Sequence, residues 1–398
     1  MADLDLDKFL YRVNHDRLLA AVPGRVADNR MLKLIRAFLR AGVMEDELVI
    51  PVYEGTPQEN VSMKGLLAIV GLLTLLSANI QIVALSESSR PAARVIRVLC
   101  LPSRPLALVV AQEQHLFEKY GVEVEAEVAN NSEALRAGLA DEKFDLAHAA
   151  VDNAVALAEK NGSDVVVLLG GEGSTNELIA QPAFHSIAEL RGKTVIVDAP
   201  TTAYALQLKK ILLQNQLQTE KDYQIKAVGS TPLRLAALRE HKEYAASILS
   251  PPTSLMAKHE GFVSLGTTQQ FIGPYQAVSG FSRRTWAEQN RQVLVSYIAA
   301  FVEAQRWIQD PAHKGEVVAL LEKEFKTSVE LAQETYDAWI IAAQGLQRDA
   351  RIDLAGFQTV LALRAELENS SNGKPPEPGK YYDSTFYDAA LARANAAK

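Results

Sequence analysis

The side chains that could do chemistry stand in short loops, each directly after an apolar run. Ser103 and Arg104 follow the run 95–101. Asn130, Asn131 and Ser132 follow 122–128, and Asp152 and Asn153 follow 144–149. Further on, Thr201 and Thr202 follow 194–197, Ser230 and Thr231 follow 223–228, and Pro251 follows 245–249. Hydroxyls, amides and a guanidinium in this arrangement suit binding. They do not make the nucleophile–base pair that covalent catalysis needs. No Gly-x-Ser-x-Gly elbow occurs, and the 7 histidines, among them His115, His148, His185, His241 and His259, lack His-Glu-x-x-His spacing. The single cysteine, Cys100, can close no intrachain disulfide and no Cys-based zinc cage. Arg97, Val98 and Leu99 before it are not the small residues of a lipid-anchoring site, so it reads as a buried strand residue. Gly170, Gly171, Glu172 and Gly173 also follow an apolar run. No Lys-Ser/Thr comes after them, so they read as a flexible turn and not as a phosphate cradle.

Loops of this kind need elements to hold them. Strands are expected at 95–101, 122–128 (strictly alternating), 144–149 and 165–169. Helices are expected at 106–117 and 133–140 and from Asp152 onward. The pattern repeats with a short helix at 185–193, strands at 194–197, 223–228 and 245–249, a helix at 203–214, and another opened by 229–232. Strands alternating with helices predict α/β lobes with parallel sheets covered on both faces. Such sheets bind ligands at the carboxyl ends of their strands, where the following helices present free N–H groups. Thr201 or Thr202 is a candidate N-cap. Asn130 and Ser132 read equally as simple caps or as part of a shared pocket. Arg104 and Arg234 either grip an anion in a fork or are solvated surface residues. Tyr204 and Tyr275 either stack on a ring or pack. A long amphipathic helix over 281–309, helices at 316–325 and 328–339, a loop at 375–379 and a last short helix near Tyr387 complete the chain.

The chain has 398 residues, a net charge of −7 and 48% hydrophobic residues, which is enough for two or three domains with real cores. Mild acidity gives the main body no general attraction to nucleic acid or to an anionic membrane. The stretch 63–86, MKGLLAIVGLLTLLSANIQIVALS, has one lysine, a long uncharged middle and a small-residue exit at Ala84, Leu85 and Ser86. That is the layout of a secretory signal peptide cut before Glu87, placed inside the chain. An uncleaved anchor and a buried helix are the competing readings. Exported to the periplasm or cell exterior is the expected fate if translation starts at Met63 or if this segment acts as the signal. Otherwise it anchors the protein in the membrane.

Two resemblances divide the chain. DLDLDKFLYRVNHDRL, RVADNRMLKLIRAFLRAGVM and EGTPQ resemble group II intron reverse transcriptases over residues 1–58. That likeness places a metal-binding aspartate at Asp5. Phe9, Leu10 and Tyr11 replace the family's two aromatics and second aspartate, and the paired aspartates of the two-metal site are never encoded. The resemblance therefore implies an inactive, mainly helical fragment. After the signal-like stretch, HLFEKYGVEVEAEV, EALRAGLADEKFDLAHA, SIAELRGKTVIVDAPTTAYALQLKKILL, PLRLAALREHKEYAASILSPP and YYDSTFYDAALARA resemble substrate-binding proteins of ABC importers, in the nitrate/sulfonate/taurine class. This likeness covers about 95–391. It implies a two-lobed, type II-like periplasmic-binding fold with lobe 1 at 87–180, lobe 2 at 181–275 and a return to lobe 1 at 276–398, after 1–62 and 63–86. It further implies a ligand cleft lined near Ser103, Arg104, Asn131, Asp152, Asn153, Thr201, Thr202, Ser230, Thr231 and Pro251. The expected function is capture of a small organic solute, an anion among the candidates, and its delivery to a membrane permease. A monomer with no cofactor, no metal and no catalytic residue is expected. The alternative is an enzyme on the same fold, making a thiamine pyrimidine precursor or dehydrating a small acid.

Overall fold

The computed structural model describes residues 43–45, 48–50, 94–102, 104–342 and 345–397. The chain divides into two compact units, Met1–Pro91 and Ala92–Lys398. In the first, β1 (Val43–Glu45) pairs antiparallel with β2 (Leu48–Ile50). Branched residues such as Val43, Val49 and Ile50 favour such a ladder. The rest of the reverse-transcriptase-like fragment, including Asp5, lies outside the described residues. So do the signal-like stretch 63–86 and Ser103.

The second unit opens with β3 (Arg94–Cys100), α1 (Leu106–Glu113), α2 (Leu116–Lys119), β4 (Val122–Val128), α3 (Ser132–Ala140), β5 (Leu146–Ala150), α4 (Asp152–Asn161) and β6 (Val165–Leu169). The expected single helix over 106–117 is broken because His115 takes a left-handed φ of 53°. The chain then crosses into a second lobe: β7 (Glu177–Ala180), β8 (Thr194–Val197), α5 (Ala203–Gln214), β9 (Gln224–Ala227), α6 (Thr231–Glu240), β10 (Tyr244–Leu249), α7 (Thr253–His259), β11 (Val263–Thr267) and α8 (Thr268–Ile272). Between β7 and β8, the helix expected at 185–193 is only a 3₁₀ turn, Ile187–Leu190, held by a Ser186–Glu189 capping box. The chain recrosses into β12 (Val278–Arg283). It then finishes in α9 (Arg284–Gln289), α10 (Arg291–Gln309), α11 (Lys314–Phe325), α12 (Val329–Tyr336), α13 (Leu354–Glu368) and α14 (Ser384–Ala396).

Each lobe has a five-stranded sheet, ordered β4-β3-β5-β12-β6 and β11-β7-β10-β8-β9. β3 is parallel to β4 and β5, and β8 is parallel to β9 and β10. The sheets are nevertheless mixed, not parallel as expected. β12 runs antiparallel to both β5 and β6, and β7 antiparallel to β10 and β11. The reason is connectivity: β6 leaves the first lobe, while β12 enters it from the second and must point the other way. Residues 281–283 are therefore strand, and the long helix begins only after them. β7 already belongs to the second sheet, so the crossing falls before residue 177 and not at 180.

Alternation along β3 splits the first lobe's core. Ile96, Val98 and Cys100 pack with Leu108, Tyr297 and Phe301 on one face, and Leu99 packs with Leu135, Val155 and Phe357 on the other. Cys100 is buried within β3, and burial pushes its thiol up to about 12. α13, unexpected from the sequence, lies against the second face of this sheet through Phe357, Val360 and Leu361.

Candidate functional site

In the second lobe, one side chain ties the loop after β9 to strand β10 and to the first turn of α5. Arg234, on the first turn of α6, is fully buried. Its Nη1 donates to the Gly229 carbonyl at 2.6 Å, and its Nη2 donates to Thr231 Oγ1 at 3.0 Å and to the Ile248 carbonyl at 3.1 Å. Its Nε donates to Ser247 Oγ at 3.2 Å. Tyr204 covers the guanidinium, with its ring centroid 4.4 Å from the guanidinium carbon. The Tyr204 hydroxyl lies 3.5 Å from both Ser250 Oγ and Thr231 Oγ1. Burial lowers the Arg234 pKa, while Asp198 and Tyr204 raise it. Arg234 is thus neither a solvated surface residue nor a free anion fork.

Thr202 sits at the N-cap of α5 with extended backbone, but its hydroxyl does not cap. It donates to Asp198 Oδ1 at 2.5 Å and to the Ala199 carbonyl at 3.0 Å, which fixes the loop after β8. Thr201 is exposed. Ser230 stands at the N-cap of α6 without a side-chain cap bond. Pro251 is partly buried at the end of the β10 loop.

In the first lobe, Asn131 is the N-cap of α3, with its Oδ1 accepting from the Ala134 N–H at 2.8 Å, and it is exposed. Asn153 is buried, with its Oδ1 accepting from Arg136 Nη1 at 2.8 Å, which locks α3 to α4. Arg104 Nη2 meets Glu324 Oε2 at 3.1 Å and pins the loop after β3 to the end of α11. Asp152 opens α4 and is 2% exposed. Its Oδ2 lies 3.9 Å from Nη1 of Arg364, itself 1% exposed, and its Oδ1 has no hydrogen-bond partner among the described residues. Burial pushes the Asp152 carboxyl up to about 7; Arg364 and Arg136 oppose the shift, and the second lobe's Asp198 adds to it.

The lobes meet at these helix starts. Ala203, on the first turn of α5, packs with Val151, Val155 and Tyr275 of the first lobe's core. Tyr275, on the recrossing segment, is buried and hydrogen-bonds Gln207 of α5, whose Oε1 accepts from Asn176 Nδ2 at 2.9 Å. Both crossing segments are thereby fastened to one helix of the second lobe.

The 170–173 glycine run is not a free turn. Gly170 N–H donates to the Ala350 carbonyl at 2.9 Å, Gly173 N–H to Gly345 at 2.9 Å, and Glu172 N–H to Val278 at 3.3 Å. A Cβ on Gly170 would stand 2.6 Å from the Arg351 carbonyl oxygen, so a close backbone approach demands glycine there. Beside the crossing opens a cavity of about 690 Å³, lined by Gly173, Ser174, Gln269, Tyr275, Ile341 and Asp353 among others. Of the residues singled out from the sequence, Gly173 and Tyr275 line it, whereas the described cleft candidates Arg104, Asn131, Asp152, Asn153, Thr201, Thr202, Ser230, Thr231 and Pro251 do not.

The sequence reading overlooked Asp198, Gln207, Asn176, Glu172 and Arg364. Only Arg364 had a signal, the apolar spacing of Phe357, Val360 and Leu361 that marks α13. Among the described residues no three His, Cys, Asp or Glu side chains gather as a metal site, and no helix is long and apolar enough to cross a membrane.

Two mixed α/β sheets joined by two crossings, with polar loops at the ends of the parallel strands, define a two-lobed periplasmic-binding-protein fold. Solved structures share it. A protein of Bordetella bronchiseptica RB50 superposes with a TM-score of 0.65 at 19% identity, covering 77% of this chain and 99% of that one. The periplasmic nitrate-binding protein NrtA of Synechocystis PCC 6803 gives 0.61 at 16%, over 76% and 89%. The periplasmic aliphatic sulphonate-binding protein SsuA of Escherichia coli gives 0.58 at 17%, over 73% and 91%. In sequence, a binding protein of Brucella abortus is 24% identical over 292 residues, 70% of this chain and 86% of its own length. The chain belongs to the NMT1-like family, whose model matches residues 100–322.

Proposed function

We propose that this protein is the solute-binding component of an ABC importer, holding a small organic molecule between its lobes and presenting the closed form to a membrane permease. One observation supports the reading: the loop after β5 of the first lobe and the loop after β8 of the second come together, with Ala203 of α5 packed among Val151, Val155 and Tyr275 and with Asp198 close enough to act on Asp152. Hinge motion at two crossings opens and closes such a cleft, and a ligand bound between the lobes favours the closed state. Asp152, Asn153, Thr202, Thr231 and Tyr204 are the lining residues best placed for this role, with Arg104, Asn131, Thr201, Ser230 and Pro251 at its margin. The family membership and the names of the similar proteins support the same reading. Export through the 63–86 segment, action as a monomer, and a catalytically dead reverse-transcriptase remnant at 1–58 complete the proposal.

Native mass spectrometry of protein isolated from its own host tests it. One small molecule should stay bound through gentle ionisation and be lost on collisional activation. Protein that never carries a small molecule, with its cleft intact, refutes the reading.

A further inference from the structure

The cavity of about 690 Å³ beside the crossings draws its walls from both lobes. Gly173 and Ser174 belong to the first crossing segment, Pro274 and Tyr275 to the second, and Gln269 to α8 of the second lobe. The first lobe supplies the rest, from Ile340 to Asp353. The volume falls within the range of about 300–1,000 Å³ that small-molecule pockets occupy.

Charge on this lining is unbalanced. Arg348 and Arg351 both line the cavity, and neither makes a side-chain hydrogen bond or ion pair among the described residues. Arg351 only rests over the Tyr387 ring, 5.3 Å from its centroid. The two acids of the lining are turned to other tasks. Asp349 Oδ1 accepts from Arg306 Nε at 2.6 Å. Asp353 Oδ2 lies over the first turn of α13, 2.6 Å from where a Cβ on Gly356 would stand. A guanidinium keeps its charge at any working pH. By contrast, Arg104 and Arg234 near the cleft are each held by partners within the protein. Much of the remaining wall is apolar: Pro274, Ile340, Ile341, Leu346 and Ile352. Ile341 is 60% exposed, an isoleucine left open where most of its kind are buried.

We propose that this cavity is a second ligand site, separate from the cleft, and that it takes a small carboxylate with an apolar body. Arg348 and Arg351 meet the carboxylate, since a guanidinium matches its two oxygens in a fork. The isoleucines cover the body. An amine of the same shape meets two like charges instead. Binding here needs no solute in the cleft.

Calorimetry on the full-length protein with benzoate, hexanoate, benzylamine and hexylamine tests this. At least one carboxylate should bind, and its amine counterpart should not. Arg348→Ala should weaken that carboxylate by about tenfold or more, the scale of one charge-assisted hydrogen bond. The Tm of the free variant should stay at the wild-type value, because Arg348 is exposed and has no partner among the described residues. Ile341→Asp should weaken binding as well, by removing apolar cover and adding a like charge. Thr202→Ala, in the cleft, should keep the wild-type affinity. No binding of either carboxylate, equal binding of the amines, or wild-type affinity in Arg348→Ala overturns the proposal. Affinity lost in Thr202→Ala but kept in Arg348→Ala places the carboxylate in the cleft. That overturns the second site and leaves the solute-binding reading standing. Protein from the host that never carries a small molecule fails the solute-binding reading alone, and the calorimetry still decides this site.

Discussion

Asp152 carries the clearest consequence at the scale of single residues. Its carboxyl titrates near 7 in the folded protein, against an ordinary 3.8, with burial as the main cause. A raised carboxyl pKa means that folding takes up a proton. The stabilising contribution is complete below about pH 4 and is lost as pH rises through about 7. At about 1.4 kcal/mol per pKa unit, the ceiling on that loss is about 4 kcal/mol. Asp152→Asn removes the titration, so its Tm should gain on wild type between pH 5 and about pH 7 and level off above that. The slope is the quantity to read, because losing the partner of Arg364 also shifts the absolute Tm. Parallel Tm–pH slopes for the two proteins would show that Asp152 does not titrate there. Arg234 makes a contrasting case. It looked like a ligand-gripping or surface arginine because sequence cannot reveal that Gly229, Thr231, Ser247 and Ile248 close around it.

Among the elements, β12 decides the architecture and is the hardest to read. Its sequence, VSGFSR, has neither strict alternation nor a long apolar run. It nonetheless lies between β5 and β6, in contact with both. Gly280 at its centre has no room for a side chain: a Cβ would stand 2.6 Å from Leu169 Cδ2 and 3.1 Å from His148 Cε1. Gly280→Ala should destabilise the protein by about 1–3 kcal/mol, the usual cost of overpacking a filled core. Its neighbour gives the control. Ser279 is buried and its hydroxyl has no hydrogen-bond partner among the described residues, so Ser279→Ala should leave stability unchanged or raise it. Urea unfolding of the two variants separates the outcomes, and a Gly280→Ala protein as stable as wild type would show that β12 shifts freely. By comparison β3, β4 and β6 were legible from the sequence, because each is a short apolar or alternating run bounded by turn residues.

For the whole molecule, the division at Pro91 matters most. The second unit holds two complete sheets and every core cluster found among the described residues. Removing residues 1–62 should therefore leave the main thermal transition where it is, to within about 2 °C, the scale of a ΔΔG well under 1 kcal/mol in a protein of this size. N-terminal sequencing of protein from the host should find a start near Glu87. A start at Met1 or Ala2, or a large fall in Tm on deletion, would show that the first unit belongs to the working protein.

The sequence by itself determined the lobes, the order of most strands and helices, and the loops that carry polar side chains. Those features depend on local periodicity and on turn and cap chemistry, which a few neighbouring residues encode. Its family wording also pointed to the class of protein. Only the tertiary structure decided which way β7 and β12 run, that 170–173 is clamped by 345–350, and which distant side chains stand beside each ionisable group. Those outcomes depend on contacts across large sequence separations: Arg104 with Glu324, Asp152 with Arg364, and Glu172 with Trp339. Whether a buried charge is matched or left alone is set by what the fold brings beside it, and no local pattern records that.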